Sequence, residues 1–351
     1  MIPIFKYFIP SIIILFFSPF TWAAGNKIDI SGFMTMGLSV TDNEDSYLIQ
    51  RYSDDKSFSS ESLLGLQIDT RLNEKVRIST QLVAQALNDF KVEAEWLYIN
   101  YQVSPSLTAR AGRLRLPLYA TSSYVQVNSA YTWVAPPGEV YGQTPFTRYH
   151  GADFLYRFSS GDMNYSTKIF GGGTKDKIVA FGVLSDIELK STYGARITAE
   201  NDLFRAHIAY MHTKAIIDIQ VLVLELEANF YTAGLTLSYG EWESTFEWAR
   251  TDSDSSALGV VDGAYFTQSR AFGDWTPYIT YGVMKTDEVD DVRKKDSYSA
   301  SIGVRYDDEY NLTWKGELHH GKGEDGKRGQ FGSAPVDSSV NLLRLTVSTT
   351  F

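Results

Sequence analysis

The carboxy-terminal segment SSVNLLRLTVSTTF alternates without a break. Leu343, Leu345, Val347, Thr349 and Phe351 form one stripe, and Arg344, Thr346, Ser348 and Thr350 form the other. Successive side chains on a strand point to opposite faces, so this segment requires an apolar medium on one side and water on the other. A half-buried edge strand of a soluble sandwich would meet that requirement by itself. The amino-terminus points elsewhere. Residues 1–23 carry Lys6, an apolar run around FIPSIIILFF and small residues near Thr21 and Ala23. This is the pattern of a secretory signal cleaved near Ala23 or Ala24. Pro10 and Pro19 interrupt the run, which is shorter than the roughly 20 residues a helix needs to cross a bilayer.

The rest of the chain has no run of about 18 apolar residues, which excludes transmembrane helices. A closed β-barrel is the other way to satisfy every backbone group in lipid. The 22 Tyr and 20 Phe against 10 Pro, with a mean hydropathy of only -0.18, suit strands greasy on one face and wet on the other. Cysteine is absent, which removes disulfides, thiolate catalysis and thiolate metal sites, and leaves barrel closure to supply stability. The formal charge is -10, one unit more negative once Lys6 is cleaved away, which argues against nucleic acid as a partner.

Strand-like alternation recurs sixteen times: at 27–38, 62–72, 76–87, 92–103, 107–115, 150–158, 163–170, 187–199, 204–213, 231–240, 243–251, 261–271, 275–285, 297–306, 311–320 and 339–351. The connections alternate in length. Tight ones carry turn residues (NEK after Leu72, SPS after Val103, SSGD after Phe158, NDL after Glu200, DDEY after Tyr306), and the long ones are 39–61, 116–149, 171–186, 214–230, 252–260, 286–296 and 321–338. A soluble sandwich has no reason to sort its loops this way, whereas an even-stranded membrane barrel puts short turns on one side and long loops on the other. The fold class read from the sequence is therefore all-β: a transmembrane antiparallel barrel of about 16 strands, with residues 24–351 as its one domain and a long infolded third loop.

The facing of several strands follows from parity. In 187–199, Ile187, Leu189, Tyr193, Ala195 and Ile197 are expected to face lipid, and Glu188, Lys190, Thr192, Arg196 and Thr198 the lumen. In 297–306 the outward set is Tyr298, Ala300, Ile302, Val304 and Tyr306, against an inward Arg305; in 311–320, Thr313, Lys315, Glu317 and His319 point inward. A barrel of about sixteen strands is too wide to fill with side chains, so inward charges of both signs imply an aqueous channel.

The segments LTARAGRLRLPLY (107–119), SASIGVRYDDEYNLTWKGELHH (299–320) and LLRLTVSTTF (342–351), together with the length, the strand count and the terminal Phe351, resemble the Gram-negative trimeric porins. The first resembles the strand that leads into their pore-constricting loop, and Phe351 resembles the assembly signal of outer-membrane proteins. The resemblance is architectural over most of the chain. It implies a homotrimer in the outer membrane of a Gram-negative bacterium, in contact with lipid bilayer, lipopolysaccharide and the barrel assembly machinery. It further implies passive diffusion of ions and small hydrophilic solutes, with no cofactor and no metal. A solute-selective channel of the same fold, for oligosaccharides or small anions, is the alternative.

A constriction needs opposed charges across the lumen. The basic candidates are Arg110, Arg113 and Arg115; Arg110 has the opposite parity to the other two, and Gly112 is a possible bulge that would turn all three toward water. The alternative is snorkelling, or pairing with Glu93 or Glu95 of the neighbouring strand. The acidic candidates are Glu139 in the third loop and Asp153 just beyond it, few enough for a neutral or anion-favouring eyelet. Tyr124, Tyr131 and Trp133 would either stack on sugar rings or anchor the loop, and Pro117, Pro136, Pro137 and Pro145 stiffen it. Arg71, Arg77, Arg196, Arg305, Lys315 and Glu317 are candidates for the lumen wall, Arg71 and Arg77 toward the periplasmic vestibule. GGGTKDK (171–177) reads as a loop rather than a phosphate cradle, because no helix follows it. A catalytic barrel could use His207 or His212 with Asp202 or Asp218, but their spacing matches no catalytic motif.

Overall fold

The computed structural model describes residues 28–351 apart from 44, 46, 49–51, 53–55, 145, 181–182, 219–222, 257, 290–292, 325–326 and 333–336; the leader read over residues 1–23 lies outside them. Sixteen strands form one closed sheet: β1 (Ile28–Thr41), β2 (Leu63–Arg71), β3 (Val76–Gln85), β4 (Val92–Gln102), β5 (Leu107–Arg115), β6 (Arg148–Ser160), β7 (Met163–Ala180), β8 (Val183–Glu200), β9 (Phe204–Asp218), β10 (Val223–Tyr239), β11 (Trp242–Ser253), β12 (Val260–Arg270), β13 (Trp275–Asp287), β14 (Ser297–Asp307), β15 (Leu312–Gly323) and β16 (Ser339–Thr350). Every strand pairs antiparallel with its sequence neighbours. β1 closes on β16, from Phe33 opposite Thr350 to Thr41 opposite Leu342, and Phe351 continues the ladder by exchanging backbone hydrogen bonds with Gly32. Closure leaves no edge strand open to further pairing.

Parity delivers the two surfaces. Ile99, Phe154, Ile169, Ile208, Ile279, Ile302 and Leu318 stand outward and exposed, the surface a strand presents to hydrocarbon. Near the short turns, ring pairs such as Trp275 with Tyr306 (4.5 Å between centroids) and Phe158 with Tyr165 (4.8 Å) form an outward aromatic belt. Inward, Arg305, Lys315, Glu317, His319, Arg344 and Thr346 occupy the alternate positions of β14, β15 and β16.

Two expectations need correction. The stretches 171–186 and 214–230 are mostly strand: β7 runs on to Ala180, β8 starts at Val183, β9 reaches Asp218 and β10 starts at Val223. GGGTKDK therefore lies inside β7. Lysine and acid on alternate positions resemble a loop in sequence, yet they suit a strand whose outer face projects into water; Lys175 pairs with Glu188 and Lys177 with Asp186 on adjacent strands. The second correction is a change of face. A β-bulge in β8 places Lys190 and Ser191 opposite the single Gly173 of β7, with Ser191 at φ 52°. One extra residue reverses parity. Below the bulge Tyr193, Ala195 and Ile197 face out and Thr192 and Arg196 face in, as parity requires. Above it Ile187 and Leu189 turn inward and are buried, and Glu188 and Lys190 face outward.

Candidate functional site: the loop across the lumen

The connection from β5 to β6, residues 116–147, runs along the inward surface of the barrel, and hydrogen bonds trace its course. On the β8–β11 side, Arg196 Nη1 donates to the carbonyls of Pro117 (3.2 Å) and Tyr119 (2.6 Å), Thr232 Oγ1 donates to Leu118 O (2.6 Å), and the Ala120 amide donates to Glu247 Oε1 (2.8 Å). The loop then reaches β15, where Lys315 Nζ donates to the carbonyls of Asn128 (2.5 Å), Tyr131 (2.6 Å) and Trp133 (2.7 Å). Arg305 adds a fourth donor bond, to Tyr131 O. A short helix α1 (Gly138–Tyr141) lies against β12 and β13, and the return leg is tied to β11 through Gln143 on Ala249 O and Thr251.

The seat of α1 is made by glycine. A β-carbon at Gly263 would stand 2.0 Å from Glu139 O, and one at Gly282 would stand 2.4 Å from the Glu139 carboxyl carbon. Glu139 is thereby buried against the wall, accepting from Ser299 Oγ (2.5 Å) and Gln330 Nε2 (2.9 Å); burial pushes its carboxyl above the usual range. It stands on the β13–β14 side of the barrel and accepts no hydrogen bond from Arg110, Arg113 or Arg115.

Those three arginines do not converge. Arg110 points inward and makes a bidentate pair with buried Asp153, Nε to Oδ1 at 2.7 Å. Arg113 stands in register with exposed Leu97 and exposed His150, on the outward row. Arg115 pairs with Glu95 (2.5 Å), donates to Ser122 O and lies over the Trp96 ring. Gly112 is not the bulge; pairing runs one-to-one through it, and the extra residue is Glu95 of β4. Gly112 is required for another reason. Its φ is 139°, and a β-carbon there would come 2.3 Å from Leu97 O.

Of the three candidate aromatics, Trp133 anchors the loop while Tyr131 borders the lumen cavity. Trp133 is buried with its indole N–H on Thr267 Oγ1 (2.7 Å) and its ring edge-on to Tyr265. Tyr131 covers the Lys315 ammonium at 4.5 Å, and Tyr124 is half-buried. Arg71 and Arg77 face each other across β2 and β3 beside the turn. Glu317 is salt-bridged to Arg344, which also donates to Tyr52 of the 42–62 loop, and Tyr278 donates to Glu317 (2.7 Å). Glu247, missed in the sequence, is a buried hub that accepts from Ala120 N and Tyr265 and lies 3.4 Å from His207. Its inward parity on β11 was the available signal. His207 faces inward and His212 outward, so the two do not form one site, and among the described residues no cluster of potential metal ligands occurs.

No curated protein matches the chain by sequence. Solved structures share its fold. They include the anion-selective porin of Comamonas acidovorans (13% identity, TM-score 0.66, covering 93% of this chain and 100% of that one) and OmpF of Salmonella typhi in complex with daunomycin (14%, 0.66, 93% and 98%). The outer-membrane channel DcaP of Acinetobacter baumannii is a third (12%, 0.62, 95% and 99%). A family model described as Gram-negative porin matches residues 11–326, nearly the whole chain. A closed sixteen-strand barrel with a polar inner face and a loop strapped across it is thus joined to a family match over most of its strands, and the chain belongs to the Gram-negative porins, outer-membrane channels for passive diffusion.

Proposed function

We propose that this porin is a weakly ion-selective diffusion channel for ions and small hydrophilic solutes, without catalysis, which works as a homotrimer after export and cleavage of residues 1–23. The observation that carries this reading is how the inward charges are engaged. Arg110 with Asp153, Arg344 with Glu317 and Arg115 with Glu95 are opposite charges in contact, while Arg196 and Lys315 are turned onto loop carbonyls. A wall of matched charges sets a modest transverse field, not a strong single-sign barrier. Homotrimerisation is supported by the family and by a trimer form of the similarly folded OmpT of Vibrio cholerae. Phe351, paired to Gly32 at the seam, fits the role of assembly signal, and lipopolysaccharide and the assembly machinery are the partners such a barrel would meet. A second reading, preference for anions, is favoured by the cations at the loop-side mouth. The refolded mature chain in a planar bilayer decides between them. Steps closing in threes are expected, with a reversal potential near zero under a tenfold salt gradient. A large potential of anion sign would favour the second reading, and no steps at all would refute the channel.

A further inference from the structure

The polarity of the barrel is inverted at one place. Above the β8 bulge, the inward face of β8, β9 and β10 carries Ile187, Leu189, Ile217, Leu226 and Phe230, all buried, while the outward positions carry Glu188, Lys190, Lys214 and Glu227. Of these, Ile187, Ile217, Leu226 and Phe230 line a cavity of about 760 Å³ above the 116–147 loop. The same cavity is lined by Arg293, Lys295 and Arg328 from the β13–β14 and β15–β16 connections. Among the described residues none of the three is in an ion pair, and Arg328 Nε is buried without a hydrogen-bond partner. Two described carboxylates of these connections are engaged elsewhere: Asp296 accepts from the Thr286 amide (2.6 Å) and Glu324 pairs with Lys285. Glu61, the carboxylate among the lining residues, accepts from Tyr52, whereas the lining cations Arg115 and Arg344 are already paired.

Two like charges held together with no ion-pair partner among the described residues, facing a cavity whose other wall is aliphatic and aromatic, describe a ligand by complement. We propose that the loop-side mouth holds a binding site for amphipathic organic anions, a carboxylate seated between Lys295 and Arg328 and an apolar or aromatic body against Ile187, Ile217 and Phe230. A cavity of this size suits a drug-sized ligand. Burial, and the Arg328 guanidinium beside it, draw the Lys295 ammonium down to about 8, a repulsion that a bound anion would relieve. The proposal rests on the channel reading in that such anions would be solutes captured at the entrance.

The test is calorimetric titration of the refolded mature chain in detergent with three probes: 3-phenylpropionate, acetate as the charge without the body, and 3-phenylpropionamide as the body without the charge. Binding of 3-phenylpropionate at one site per barrel is expected, at least tenfold tighter than either control. The double change Lys295→Gln with Arg328→Gln is expected to weaken it at least tenfold, and Ile217→Ser to weaken it while leaving acetate unchanged. Equal affinities for 3-phenylpropionate and acetate would reduce the site to a charged patch and overturn the proposal. So would affinity unaffected by the double change, which would mean partition into the micelle. The cations lie on loops, so that variant keeps the test valid even where Ile217→Ser fails to fold. Conductance in plain potassium chloride, measured on the same preparation, reports separately on the channel reading.

Discussion

Lys315 shows how a single side chain decides what a porin-like loop does. Its ammonium satisfies three carbonyls of the loop, and a buried carbonyl left without a donor costs about 1–3 kcal/mol. Lys315→Met keeps the bulk and removes the donors. It is expected to lower the thermal unfolding midpoint and to add flicker to the open-channel current; a trace as quiet as wild type would show that Arg305, Thr232 and Gln143 hold the loop without it. Asp153→Asn acts on the lumen charge instead. It strips the bidentate partner from Arg110, which also acts electrostatically on Lys168, so the lumen gains a net positive charge. The reversal potential should move toward anions, and an unmoved value would place the pair off the ion path. Lys295 gives a pH dependence with a definite sign. Its ammonium is charged below about 8 and neutral above, and the other charged groups of the two connections include Arg293, Arg328, Asp296 and Glu324. Affinity for 3-phenylpropionate is therefore expected to fall as pH rises from 7 to 9, and a flat profile would exclude Lys295 from the site.

At the scale of elements, glycine and one bulge set the interior. The α1 helix reaches the wall because Gly263 and Gly282 leave it room. A valine at 263 would meet the Glu139 carbonyl, and overpacking of this kind costs about 1–3 kcal/mol. Gly263→Val is expected to push α1 off β12 into the lumen and narrow the passage, read as a lower single-channel conductance with the barrel still resistant to detergent at room temperature. Unchanged conductance would show that α1 does not bound the passage. The bulge at Lys190–Ser191 has the opposite character: it leaves the sheet intact and exchanges its faces. Parity alone would have placed Ile187 and Leu189 in lipid, and only the pairing with Gly173 reveals the extra residue.

For the molecule as a whole, closure of β1 on β16 accounts for every strand and makes the inner face one continuous wall. With matched charges along that wall, exchange of Arg113 for Glu is expected to leave the reversal potential unchanged, since Arg113 lies in register with exposed outward residues; a shift toward cations would bring it back into the pore. The sixteen strands were legible because alternation is local, repeating every two residues, and because lipid and water impose it on each strand separately, whereas two of the connections read as long, 171–186 and 214–230, are mostly strand. Lys315, Arg305 and Glu317 were readable as inward residues for the same reason.

What they do there was not readable. The roles of Arg110, Arg113, Arg115 and Glu139 depend on which partner the closed barrel brings within about 3 Å, at sequence separations as large as the 191 residues between Glu139 and Gln330. The sequence by itself determined the class of fold, the two solvents its strands meet and the family to which it belongs. The tertiary structure alone decided the path of the 116–147 loop, the partner of each inward charge and the inverted patch above Ser191, because those follow from strand register and cross-lumen distances, which no local period encodes.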